Sequence, residues 1–240
     1  DQALTLLSNL FKLTINKASG YVNLGSNITI TNTLNFISGK IQTGNYSVII
    51  PSGSTVSGAA LNTGWVKGNL KKNVATGTAV SRTFEIGGAI NYLPATVMFG
   101  SVSTAGNLSG NVTETDHTES DYSGIDTTKS VNRFWSLTNA GIAFTTASST
   151  FNWIAADMDA GSNTTKFKTA LFNGTSWTLT NMASPLATSI VATGLTSFGD
   201  FEIGERATAY IWTGNAFTAN WDNAKNWSGG VPTALFNTLI

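Results

Sequence analysis

The sequence predicts an all-β chain, with a short β-solenoid-like N-terminal segment followed by an antiparallel β-sandwich. Three observations carry this prediction. Short apolar pairs recur along residues 13–57 with glycine or asparagine between them; alternating apolar and polar residues fill segments from Trp65 to Ile203; and no stretch holds a helical period. The expected division is a solenoid-like segment at 1–61, a β-sandwich module at 62–206 and the start of a further module at 207–240.

In the first segment the pairs are Leu13 with Ile15, Val22 with Leu24, Ile28 with Ile30, Leu34 with Phe36, and Val48 with Ile50, with Ile41 and Val56 standing alone. A spacing of two puts both side chains of a pair on one face of a strand. Gly20, Gly25, Gly39, Gly44 and Gly53 fall in the gaps, where positive φ carries no steric cost. Evenly spaced inward pairs of this kind form the coils of a solenoid; a small meandering sheet is the alternative reading. A solenoid of so few coils cannot cover both of its own ends.

From Trp65 the strands lengthen. Trp65 to Leu70, Arg82 to Ile86 and Ala95 to Phe99 read as strands, with Phe84 and Ile86 inward and Thr83 and Glu85 outward, and Leu108 and Val112 mark a further strand. A polar loop is expected over 114–129. Strands follow at Val131–Leu137, Phe151–Ala155, Lys168–Phe172, Trp177–Thr180, Ser189–Ala192 and Phe198–Ile203. Asn173-Gly174 lies between two of them and supplies the positive φ of a hairpin turn. Strands this short at this spacing fit a sandwich.

Composition narrows the function classes. Of 240 residues only 11% are charged while 41% are hydrophobic, and thirteen basic residues balance thirteen acidic ones. A neutral chain has no field to gather nucleic acid or an anionic membrane surface, and no apolar run approaches the roughly 18 residues of a membrane helix. The chain has no cysteine, which removes disulfides, thiolate metal sites and cysteine nucleophiles.

No catalytic residue is assigned. His117 is the one histidine; it sits in the polar loop without a nucleophile elbow elsewhere and reads as a solvated loop residue. Glu85, Asp200, Glu202 and Glu205 alternate with apolar residues and read as outward strand positions. For a cofactor the expectation is none, with one metal candidate: Asp157, Asp159 and Asn163 around Gly161 offer three oxygen ligands of the kind calcium takes. Lys168 stands where a calcium loop of the EF-hand type needs an acid. The competing reading is a turn in which Asp and Asn bond their own backbone. Glu114, Asp116, Glu119 and Asp121 make a weaker candidate, read as a solvated hairpin. Arg133 shares a face with Val131, Trp135 and Leu137 by alternation, so it either stacks on Trp135 or is buried with a carboxylate.

Val131-Asn132-Arg133-Phe134-Trp135, Asp157 to Gly161, Phe172 to Trp177 and above all Ser197-Phe198-Gly199-Asp200-Phe201-Glu202-Ile203-Gly204 resemble the repeat modules of very long secreted surface proteins of Bacteroidetes-type bacteria. Trp212-Thr213-Gly214, Asn226-Trp227 and Gly230-Val231-Pro232 resemble the start of the next such module. The resemblance implies extracellular display at the bacterial cell surface and a role in adhesion or surface filaments. It carries over no catalytic residue. Asp126-Thr127-Thr128 looks like the short O-glycosylation motif of such bacteria, which would place a glycan on Thr127; an ordinary turn is the alternative.

The expected function is a non-catalytic structural and adhesive repeat of a surface fibre, acting by stacking of modules, with a carbohydrate-binding module as the alternative. The expected partners are neighbouring repeat modules, and surface glycans under the alternative. The residues expected at the module interface are Trp212, Trp221, Trp227, Val231, Leu235 and Phe236. Trp135, Trp153 and Trp177 fall on strands and are expected in the core, whereas Trp221 and Trp227 lie in a loop-like region where a sugar would be met.

Overall fold

The computed structural model describes residues 1–6, 8–208, 210–228, 231 and 238–239 of the 240, the backbone alone for 210–211, 228 and 238–239. Among them are strands β1 (Gln2–Leu4), β2 (Leu10–Leu24), β3 (Ile28–Ile50), β4 (Thr55–Ser57), β5 (Val66–Val74), β6 (Gly77–Phe84), β7 (Ala95–Thr104) and β8 (Gly106–Thr113). Next come β9 (Ile125–Ser130), β10 (Phe134–Ala140), β11 (Ala143–Phe144), β12 (Ala147–Asn152), β13 (Phe167–Phe172), β14 (Trp177–Leu179), β15 (Asn181–Met182), β16 (Ser189–Leu195) and β17 (Asp200–Arg206). The last are β18 (Tyr210–Trp212), β19 (Trp227–Ser228) and β20 (Thr238–Leu239), and the helical elements among the described residues are four short 3-10 turns. The chain is all-β, as its patterning predicts. It divides into two compact units, Asp1–Val112 with Ser136–Phe151, and Thr113–Trp135 with Asn152–Ile240.

The first unit begins as a solenoid-like stack of parallel strands. β1 pairs with β2, β2 with β3, and β3 with both β4 and β5, all parallel. Each apolar position therefore lies beside the equivalent position of the next coil, in rows such as Leu13–Leu34–Val56 and Val22–Ile41–Val66. The inward pairs read from the sequence are these rows. The strands are longer than the pairs imply, 15 residues in β2 and 23 in β3, because the glycines bend them without ending them. Gly39, at φ +99° inside β3, is one such corner.

Close backbone approach fixes the coil spacing there. The Gly39 amide donates to the Thr63 carbonyl at 2.7 Å, and a Cβ on Gly64 would lie 1.7 Å from the Gly39 carbonyl oxygen. No side chain fits at residue 64 unless the coils separate.

The same unit continues as two antiparallel sheets. β5 pairs with β8, with Leu70 opposite Gly110, and β10 lies beside β8. β7 is flanked by β6 and β12, which bring Phe84 and Phe151 to either side of Ala95. The sheets meet face to face where Gly110 leaves room for the Phe84 ring, 2.7 Å from the Cβ that Gly110 lacks. Leu70, Val74, Phe84, Val97, Phe99, Leu108 and Phe151 fill the space between them and are buried.

In the second unit β17 is central, antiparallel to β13 on one side and to β9. β13 forms the predicted hairpin with β14, Phe172 opposite Trp177; Gly174 takes φ +95°, and the Asn173 side chain accepts from the amides of Thr175 and Ser176. β15 pairs with β16. Trp135 and Trp153 are buried as expected, the latter 5.8 Å from Phe167 ring to ring. The region read as one polar loop is part strand, since Ile125–Ser130 pairs with β17 as β9. Val131, expected to open a strand running to Leu137, makes an isolated bridge to Met158, and β10 starts at Phe134. A small sheet closes the unit, β18 antiparallel to β19 and parallel to β20.

Gly64→Ala is expected to destabilise the protein by about 1–3 kcal/mol through overpacking, read as a lower urea midpoint. An unchanged midpoint would mean that the coils are not held at this spacing.

Candidate functional site

The stacked rows meet an open edge at their first coil. In the second coil Ile30, Leu34 and Ile41 are 0% exposed. Of their partners in β2, Leu10, beside Ile30, and Leu13, beside Leu34, are partly exposed, whereas Val22, beside Ile41, is buried. β1 pairs only with Val22–Leu24, and the Asp1 carboxylate accepts the Tyr21 amide at 2.9 Å. From Leu10 to Gly20, no strand lies on that side of β2 among the described residues. Unpaired backbone donors and acceptors beside a partly exposed aliphatic row form a template for another strand.

A second gathering is the tryptophan cluster of the tail. Trp212 and Trp221 stack at 6.3 Å and 23°, and Trp227 packs edge-on to both, at 4.9 and 4.4 Å. Trp227 is wholly buried and its Nε1 donates to the Trp221 carbonyl; Trp221 is 44% exposed. Lys225 of this region pairs with Glu119 at 3.4 Å. Of the residues expected at a module interface, the structure brings these three tryptophans together and leaves Val231 partly exposed. Leu235 and Phe236 lie outside the described residues.

The third gathering corrects the sequence reading of the acidic and histidine positions. Glu202 does not point to solvent. Phe201, Glu202 and Ile203 are all buried, because β17 is covered on both faces and period-two alternation no longer separates inside from outside. The segment carrying Asp116 and His117 lies against the Glu202 carboxyl. Both carboxyl oxygens are buried without a partner in ordinary hydrogen-bond geometry, and the His117 amide favours the ionised form. Burial, then the charges of Asp116 and Asp121, push its pKa up to about 8, against a smaller lowering by that amide. Burial and the charge of Asp159 likewise raise Asp116, which is half-buried, whereas Glu114 and Asp121 of the same segment are exposed.

His117 is not solvated either. It is 9% exposed and boxed by Phe134, Phe172 and Trp177 at 4.9, 4.9 and 5.1 Å. Nδ1 accepts the Glu119 amide at 3.0 Å, so Nε2 carries the proton in the neutral ring and faces Asp200 at 3.3 Å. Glu85, also read as outward, forms an ion pair with inward-pointing Lys72 at 2.6 Å. Burial raises Glu85 and lowers Lys72, each partly countered by its partner's charge.

Arg133 takes the second of its two readings, buried in an ion pair with Asp157. The other Asp157 oxygen accepts the Ile154 amide at 3.1 Å. Asp159 accepts from Ser130 and Asn132, and the Asn163 side chain from Thr165. The three candidate calcium ligands are thus each engaged by protein donors. Among the described residues, no three His, Asp or Glu side chains are grouped to hold one metal ion. Thr127 is partly exposed on β9, and the Asp126 carboxylate accepts from both the amide and the hydroxyl of Thr128. No helix among the described residues is long and apolar enough to cross a membrane.

Comparison with protein-family models, with curated proteins and with solved structures finds no match.

The raised Glu202 value has a consequence for stability. The folded state holds this proton up to about 8 whereas the unfolded chain releases it near 4.5. The stabilisation is therefore complete below 4.5 and is lost as pH rises through about 8, on the order of 5 kcal/mol in all. Urea midpoints of the native chain are expected to fall between pH 5 and 9, and Glu202→Gln to flatten that decline. Parallel profiles for the two proteins would show that Glu202 is ionised in the fold.

Proposed function

We propose that the chain is a non-catalytic structural repeat of a secreted bacterial surface fibre, acting by stacking of modules. The observation that carries this reading is the parallel stack of coils itself, whose rows Leu13–Leu34–Val56 and Val22–Ile41–Val66 a further coil of the same kind would extend. Leu10 and Leu13 of the first coil are partly exposed where Ile30 and Leu34 of the second are closed, while Ile15 and Val22 are buried. The occupant we assign to the edge is a coil of the same kind from a neighbouring repeat. Its strand would pair with Leu10–Gly20 and its aliphatic side chains would extend the Leu13–Leu34–Val56 row. Such stacking adds hydrogen bonds and apolar burial at each step, which is how solenoid repeats gain stability from their neighbours. The placement at the cell surface rests on the sequence resemblance, and the low charge suits a surface of hydroxyls and amides.

In isolation an exposed edge of this kind pairs with another copy. Sedimentation velocity of the 240-residue chain is expected to show concentration-dependent association. Leu10→Lys with Leu13→Lys, which places two charges in the half-covered row, is expected to leave a folded monomer. Leu186→Lys, on a residue 67% exposed and outside β2, is expected to leave association unchanged. A native chain that stays monomeric throughout, or one whose association ignores the double substitution, contradicts the reading.

A further inference from the structure

The tail carries a feature that stacking does not use. Phe217 is 96% exposed and adopts φ +52°, the left-handed region, in a turn closed by its own amide donating to the Gly214 carbonyl at 2.9 Å. For a residue with a Cβ this conformation costs roughly 1–2 kcal/mol, and the exposed ring returns no burial. Strain and exposure at one aromatic residue point to a role outside the fold.

The loop is nevertheless held firmly. Asn226, which is 0% exposed, accepts the Ala216 amide at 2.9 Å and donates to the Thr218 carbonyl at 2.8 Å, gripping the residues on either side of Phe217. The same side-chain amide donates to the Asn220 carbonyl at 3.0 Å, and Trp227 Nε1 donates to the Trp221 carbonyl at 2.9 Å. One buried Asn-Trp pair thus fixes both exposed aromatic residues, and Trp221 is steadied further by its stack on Trp212. Between and beside them lie Asn215, Thr218, Asn220 and Asn223, neutral amides and a hydroxyl, with one carboxylate, Asp222, next to Trp221.

We propose that Phe217 and Trp221 form a binding platform for neutral carbohydrate, their rings stacking on the C–H faces of hexopyranose units and the surrounding amides bonding the hydroxyls. Pre-organisation of the rings lowers the entropic cost of binding. A protein partner fits less well: two aromatic side chains of roughly 150–250 Å² each, one of them half-covered, fall short of the roughly 800 Å² per partner of a stable interface. Flat C–H faces need only one ring apiece. The platform lies on the tail, away in sequence from β2, and stands whether or not the coils stack.

Affinity electrophoresis of the full chain through gels containing soluble mixed-linkage β-glucan, galactomannan or, as an anionic control, alginate tests this. The expected result is retardation by at least one of the two neutral polysaccharides, weakened tenfold or more by Phe217→Ala and by Trp221→Ala and kept by Phe217→Tyr. Phe217→Ala removes only an exposed ring, so its effect reads binding even where Trp221→Ala disturbs the cluster. Retardation by neither neutral polysaccharide, retardation by alginate alone, or retardation indifferent to Phe217→Ala overturns the proposal. So does self-association abolished by Phe217→Ala, which would make the patch a contact between copies. Association lost through Leu10→Lys with Leu13→Lys while retardation persists would separate the platform from the stacking edge.

Discussion

The in-register stacking of parallel coils is the constraint on which the first unit depends. Parallel pairing sets each aliphatic side chain beside its equivalent one coil on, so the core is a set of rows. A row is stable in its interior and costly at its ends, because the terminal member has a neighbour on one side only. At the end where antiparallel pairing takes over, β8 lies beside β5, and Leu70 and Val74 are fully buried. At the other end Leu10 and Leu13 stay half-covered. The functional reading rests on the stacking itself, in which each coil covers the row of the one before it.

Both units carry ionisable groups in their interiors. Lys72 with Glu85 and Arg133 with Asp157 are buried pairs, and Glu202 is a buried carboxyl held beside Asp116. Removing one partner of such a pair leaves a charge without compensation, at a cost of about 3–5 kcal/mol. With only 11% of residues charged, Thr, Ser and Asn make up much of the polar surface beside the exposed Lys, Asp and Glu. A neutral polar surface of that kind suits hydrogen bonding to sugars better than ionic capture, consistent with the chemistry assigned to the Phe217–Trp221 loop.

Much of the architecture was legible in the sequence, and the reasons are local. Pairs such as Leu34 with Phe36 need only a spacing of two to declare an inward face, and Asn173-Gly174 declares its hairpin within a few residues. Strand length was not legible, because a glycine such as Gly39 reads equally as a corner within a strand or as its end. The buried acids were not legible for a different reason. Glu202 alternates with Phe201 and Ile203 as an outward residue would; only the Asp116–His117 segment, far off in sequence, makes its side of the strand an interior. Arg133 was legible as far as two alternatives, since alternation buries it but cannot name Asp157. In the tail, tryptophan spacing marked the cluster, yet nothing in the sequence says that Trp227 is the buried member or that Phe217 is held outward by Asn226.

Amide hydrogen exchange of β2 at low and high protein concentration tests the central claim, that this edge receives another strand. The account predicts that protection of the amides from Leu10 to Gly20 rises with concentration, while those of β3, already paired within the chain, stay constant. Exchange of the β2 amides that is independent of concentration in a chain that does associate would place the contact elsewhere and contradict stacking through the coils.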